Sequence, residues 1–306
     1  MKREELIALI QRGETIRSEN CSRMDLSGED LSGAVFDGIV FKEARFVEAR
    51  LSGSTFRNCV LTRADLAWAD LTEAMLTASS FSRANLTRLE LGTSRITDCD
   101  FVGADFTEAD CTGIDFTGSR LSGASFIKTD FSGADLREQD LAKCVMRNAD
   151  LHGSNCTTAD FSQADLTQAN FTGAVLTKAN LDYVRARAAD FTRAEMNAVT
   201  CRHALLQESF FEGSDLTLAD FSHSDLTACM VSQAVCRSTK FVRATFTYAD
   251  LSYADLEFAD FNRAALAGAK LHRVHEKNTI WRGSTRADAH GTDPDLAEAE
   301  EWQPQY

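Results

Sequence analysis

Large apolar residues fall on every fifth position of this chain. Stepping by five from Leu26 to Leu271 meets fifty positions, and forty-nine are Leu, Phe, Ile, Met, Val or Cys; Ala186 is the exception. Neither the 3.6-residue period of a helix nor the two-residue period of a strand accounts for this repeat. Two positions before each large residue a small one recurs, as at Ala64, Ala69, Ala104, Ala134, Ala164 and Ala254. The position between them is usually Asp or Asn. Groups two apart share one side of an extended segment, while the residue between them points away. The following two residues are often Ser, Thr, Gly or charged, so the chain turns after each short extended piece. Eighteen of the 20 phenylalanines sit on the central register, the exceptions being Phe210 and Phe258, so the aromatics belong to the interior.

The unit resembles A(D/N)LXX, the signature of the pentapeptide repeat family. Stretches such as ADLAWADLTEAML (64–76), ADFSQADLTQANFTGAVLTKANL (159–181) and ADLSYADLEFADF (249–261) carry it, and it covers residues 21–275. The resemblance implies an all-β solenoid, a right-handed quadrilateral β-helix in which four pentapeptides make one square coil. Each twenty residues then advance by one strand spacing of about 4.8 Å. Stacked coils share a column in which each buried Leu or Phe contributes roughly 1.5–3 kcal/mol. Ala186 should leave its coil underfilled.

Open ends of a solenoid need covers. Residues 1–20 are read as an N-terminal capping helix, with Leu6, Ile7, Leu9 and Ile10 at helical spacing and Gly13 as its stop. The register fails at Glu276, so 276–306 form a C-terminal cap and acidic tail. Within it, Trp281 plugs the column and RADAHGTD is a linker. A short acidic helix over 292–302 has Thr292 or Asp293 as N-cap and Pro294 in its first turn. Pro294 and Pro304 are the only prolines, so every earlier residue can donate a backbone hydrogen bond.

Composition narrows the function. With 44% hydrophobic and 9% aromatic residues the chain is globular. A formal charge of −14 disfavours attraction to phosphate backbones or anionic membranes, so neither direct nucleic-acid binding nor membrane binding is expected. No apolar run approaches eighteen residues and no leader-like segment is present, which points to the cytoplasm. Of nine cysteines, Cys21, Cys111, Cys156, Cys201 and Cys236 lie on the central register and Cys59, Cys99, Cys144 and Cys229 on the small inward position. Without a CxxC pair, they read as reduced core residues rather than metal ligands or nucleophiles. The six histidines form no ligand pattern beyond HRVH at 272–275, read as a solvated edge. No phosphate loop, nucleophile elbow or zinc motif occurs. No cofactor, metal or catalytic residue is assigned, and an enzyme is not expected.

Two surface features remain. Residues twenty apart stack on one face, giving Asp30, Arg50, Asp70, Glu90, Asp110, Asp130, Asp150, Asn170 and Asp190 in succession. This is either a solvated face whose acids bond turn amides or an anionic stripe (Asp70, Glu90, Asp110, Asp130, Asp150 and Asp190) for a basic partner. Further along, Leu205, Phe210, Met230 and Val235 put apolar side chains outward where the pattern wants Asp, a candidate contact patch. Smaller groups are Val35, Val40, Val60 and Met75, and the turn aromatics Trp68, Tyr248, Tyr253 and Phe258, where a sticky corner is expected. A protein-binding scaffold fits these features. The resemblance implies two kinds. Some pentapeptide repeat proteins imitate DNA and bind DNA gyrase, protecting it from toxins or quinolones, and often dimerise through the C-terminal end. Others are adaptors beside secretion and effector components, type VI systems included, and the tail TDPDLAEAEEWQP is similar to theirs. The adaptor reading is preferred because of the apolar patch.

Overall fold

Five backbone amides per repeat must find acceptors, and the way they do so explains the pentapeptide. In a computed structural model that describes residues 1–302, the coil around Leu71 shows the scheme. The Leu71 amide donates to the Glu90 carbonyl one coil on at 2.8 Å, and the Ala74 amide closes the turn on the Leu71 carbonyl at 3.0 Å. The Asp70 amide donates back to the Ala49 carbonyl at 3.1 Å. The amide of Thr72 goes to Asp70 Oδ1 at 2.8 Å, so the outward Asp or Asn caps the turn that follows it. Asp110, Asp130 and Asp150 do the same for Thr112, Ser132 and His152.

The third turn residue carries a positive φ in every turn but one, as a type II turn requires; after Leu91 it is Gly92, the second turn residue, that does so. Gly occupies several of these positions, but so do Arg63, Trp68, Glu108 and Tyr248. Thr158, with φ of 58°, is the one β-branched residue among them.

The chain divides into two compact units, Met1–Asn170 and Phe171–Tyr306. The first opens with helix α1 (Arg3–Gln11) and carries a five-stranded parallel sheet of β1 (Ile16–Arg17), β2 (Val35–Asp37), β3 (Thr55–Arg57), β4 (Met75–Thr77) and β5 (Arg95–Thr97), in that order. The register is an unslipped twenty, with Phe36 opposite Phe56 and Leu76 opposite Ile96. After β5 the coils are joined by single parallel bridges at the same offset, such as Asp110–Asp130 and Asp130–Asp150. Only Leu6 of α1 is fully buried; Ile7, Leu9 and Ile10 are half-exposed, because a single short helix can press one side on the first coil. An ion pair from Arg3 to Glu29 helps hold it there.

The second unit repeats the coil, for example through Val175–Glu195, Glu195–Asp215 and Asp215–Val235. Its interior has Phe171, Phe191 and Phe211 stacked at centroid distances of 5.1 and 5.0 Å. Ala186 is buried, and Ser209 Oγ donates to its carbonyl at 2.6 Å. Backbone pairing outlasts the side-chain register. Leu256 and Phe261 donate to the carbonyls of His275 and Ile280, and Leu271 to that of His290, all at 2.7–2.8 Å. The segment expected as a linker therefore contains a 3-10 turn (Arg286–Asp288) and pairs His290 with Lys270. Trp281 stacks on Phe261 at 4.5 Å while staying half-exposed itself. Helix α2 (Pro294–Glu301) is capped by Asp293, whose side chain accepts from the amides of Asp295 and Leu296, with Pro294 in the first turn. Pro304 lies outside the described residues.

Candidate partner-binding surfaces

The acidic stripe is built by the coil repeat. On one face of the first unit Asp70, Glu90, Asp110, Asp130 and Asp150 are joined by consecutive parallel bridges. Glu90 and Asp110 are exposed and the other three half-buried. None of the five forms an ion pair among the described residues, whereas Asp30 on the same face pairs with Arg50 at 2.9 Å. The aspartates serve both readings of the stripe, since each gives Oδ1 to a turn amide and has a second oxygen besides. Asp190 belongs to the second unit, where it caps Thr192 at 2.8 Å and is bridged to Phe210. Beside the stripe, Trp68 takes the Arg88 guanidinium over its ring at 4.2 Å, and Arg88 also binds Glu108 at 2.6 Å. Asp105, Asp110 and Asp115 lie on successive faces, each with its own turn amide, and do not converge as acid and base would.

The apolar patch lies in the second unit. Phe210 and Met230 are bridged neighbours on one face, between Asp190 and Asp250. They are 42% and 39% exposed, and Leu205 on the preceding face is 44% exposed. Val235 on the following face is half-buried. Asp190 and Asp250 cap the amides of Thr192 and Ser252 at 2.8 and 2.9 Å. Among the described residues no side chain caps the corresponding amides of Glu212 and Ser232 after Phe210 and Met230, nor those of Gln207 and Arg237 after Leu205 and Val235. Each apolar residue thus forgoes a bond worth about 0.5–1.5 kcal/mol while exposing hydrocarbon. Leu218, 63% exposed, is a further apolar side chain at a turn, where the sequence reading gives only the aromatics Trp68, Tyr248, Tyr253 and Phe258.

The expected sticky corner does not form. Tyr248, Tyr253 and Phe258 occupy three successive turns of one coil and therefore three different corners. Tyr253 is engaged by a hydrogen bond to Glu300 of α2. His272, nearly buried, accepts the Asp293 amide at Nδ1 (3.1 Å) and meets Glu300 at Nε2 (3.3 Å), so this half of HRVH anchors α2, while His275 is exposed as a solvated edge would be. Val60 and Met75 are exposed as anticipated, in the first unit.

Chemically reactive groupings are held in other roles. All nine cysteines are buried and unpaired. Burial pushes the thiols of Cys99 and Cys144 up to about 11, and those of Cys156 and Cys229 to about 12. A thiol so far from its thiolate is a poor nucleophile or ligand. Asp255, Glu257 and His275 bring ligand atoms within 4.8 Å of one another. Cations already take these carboxylates, with Arg237 on Asp255 at 2.5 Å and Lys277 near Glu257 at 3.7 Å. No helix among the described residues is long and apolar enough to cross a membrane.

Two family models, both described as pentapeptide repeats, match the chain. One covers 22–65, and the other covers 49–88, 99–137, 129–168, 154–193, 194–230 and 239–275. Similar solved structures include HetL, a pentapeptide repeat protein involved in heterocyst differentiation regulation in the cyanobacterium Nostoc sp. strain PCC 7120. It is 23% identical over 96% of this chain and 98% of its own, with a TM-score of 0.32. Rfr23 from the cyanobacterium Cyanothece 51142 is 24% identical over 31% of this chain and 61% of its own, with a TM-score of 0.28. Full-length QnrB1, a plasmid-mediated fluoroquinolone resistance protein, is 20% identical over 74% and 94%, with a TM-score of 0.27. No curated protein sequence matches.

Proposed function

The chain belongs to the pentapeptide repeat family, and from that premise we propose that it is a non-enzymatic protein-binding scaffold, an adaptor that holds its partner on the second unit. The observation that carries this reading is the patch of Leu205, Phe210 and Met230. There, Phe210 and Met230 replace turn-capping acids between the capping Asp190 and Asp250, with Leu205 on the adjoining face. A surface that gives up stability locally is where selection for binding outweighs selection for folding. The partner class is a secretion or effector component of the cytoplasm, a reducing compartment in which nine buried thiols stay free. The exposed Leu296 and Trp302 keep a homodimer through the C-terminal end within the reading, and sedimentation velocity at micromolar protein decides it.

The test uses the double variant Phe210→Asn, Met230→Asn. Asn can cap the following turn, as Asn85 does for Thr87 at 3.1 Å, without adding charge. The variant is expected to be at least as stable as the wild type in urea and to lose capture of the partner at least tenfold. Undiminished capture would remove the patch from the account.

A second reading rests on the unpaired run Asp70, Glu90, Asp110, Asp130 and Asp150. Such a stripe could imitate a duplex phosphate backbone toward DNA gyrase or a related topoisomerase. A supercoiling assay separates the two. Inhibition or drug protection that disappears in Glu90→Gln, Asp110→Asn favours the mimic, and no effect at micromolar protein rejects it.

A further inference from the structure

One corner of the second unit is cationic in a chain whose formal charge is −14. The third turn residues there, one coil apart, are Tyr183, His203, His223, Arg243, Arg263 and Gly283. Their φ values lie between 57° and 70°, so all leave the backbone in the same conformation. The first three rings stack, Tyr183 on His203 at 5.0 Å and His203 on His223 at 4.8 Å. Beyond His223 the ladder continues as Arg243 and Arg263, with Arg282 beside them. These last three arginines make no ion pair or side-chain hydrogen bond among the described residues, unlike Arg202, which grips Asp182 with contacts of 2.5–3.3 Å.

The acids that precede two of these turns, Asp220 and Asp260, form no ion pair with the arginines among the described residues. Asp220 accepts the Ser222 amide at 3.0 Å and Asp260 the Asn262 amide at 2.9 Å. Lys240, bridged between them on the adjoining face, adds another cation without a salt bridge. Around these groups is an open cavity of about 690 Å³ whose lining includes His223, Arg243, Asn262, Arg263 and Arg282. Gly283 keeps it open. A Cβ at that position would stand 3.5 Å from Arg263 Cγ, so any longer side chain would cover the arginine that the glycine leaves bare.

Like charges stacked one coil apart repel and raise the local potential, which a bound ligand of opposite charge relieves. We propose that this corner is a binding site for a compact multivalent oxyanion of the phosphate class, gripped by Arg243, Arg263 and Arg282 with His223 at its edge. Guanidinium forks match phosphate oxygens in paired hydrogen bonds, and three forks spread over successive coils suit a ligand with several phosphate groups better than a single carboxylate. The site is separate from the apolar patch and does not depend on the adaptor reading.

Inorganic triphosphate titrated calorimetrically into the full chain at low salt tests it. The expected result is saturable one-to-one binding, at least tenfold weaker in Arg243→Gln, Arg263→Gln and unchanged in Arg193→Gln, whose arginine stands at a different corner. Without ligand the double variant should melt at or above the wild-type temperature, since the substitutions relieve repulsion; this also shows that it folds. The proposal fails if wild type gives no saturable heat, if the double variant binds equally well, or if sodium chloride at equal ionic strength stabilises both proteins as triphosphate does.

Discussion

The outward Asp is the residue on which the repeat turns. Its side chain accepts the amide two positions on, and hydrogen bonds of this kind recur from Asp25–Ser27 to Asp260–Asn262. They set a pH dependence. Burial raises the carboxyl pKa of Asp165, Asp215 and Asp255, yet hydrogen bonds outweigh it. Thr167 and Arg147 hold Asp165 below the usual 3.8, Thr217 and Asn197 do so for Asp215, and His275 and Arg237 for Asp255. A depressed carboxyl binds protons less tightly in the native than in the unfolded chain. Its stabilisation is complete above the unfolded value and disappears as pH falls through the native one. Urea midpoints should thus be flat from about pH 7 to 5 and drop steeply below about pH 4. The inward cysteines give a second expectation. An aromatic disulfide reagent at pH 8 should label none of the nine thiols within minutes and all nine in denaturant. Rapid native labelling of even one would mean that its coil opens.

At the scale of the element, the coil was legible because one side-chain rule, large inward residues every five, is repeated from Leu26 to Leu271. The inward cysteines and the Asp293–Pro294 start of α2 followed from the same kind of local rule. What escaped was set by backbone rather than side chains. The coil persists past Glu276 because the Ile280 and His290 carbonyls still accept bonds, whatever occupies the column. Likewise, His272 anchors α2 through a contact 28 residues along the chain that no spacing rule reports. Turn positions were the other blind spot. At the turns only aromatic residues stand out in the sequence, so Leu218 and the corner of Arg243 and Arg263, which lie where the chain bends, were not legible. The turns also offer a test of strain. Thr158 holds a β-branched side chain at φ of 58°, where Gly is at ease. Thr158→Gly should raise unfolding stability by about 1 kcal/mol, and a loss of that size would show that the turn is not strained.

On the whole chain, the two candidate partner surfaces fall in different units. The unpaired acids Asp70 to Asp150 belong to the first unit, and the exposed Phe210 and Met230, with the bare arginines, to the second. This separation allows the adaptor and DNA-mimic readings to be distinguished by where a partner touches. A photo-cross-linking benzoyl-phenylalanine placed singly at Phe210 or at Asp110, in the cells that make the protein, is the most direct measurement. The adaptor account predicts a discrete protein adduct from position 210 and none from position 110. An adduct from position 110 with none from position 210 would contradict it.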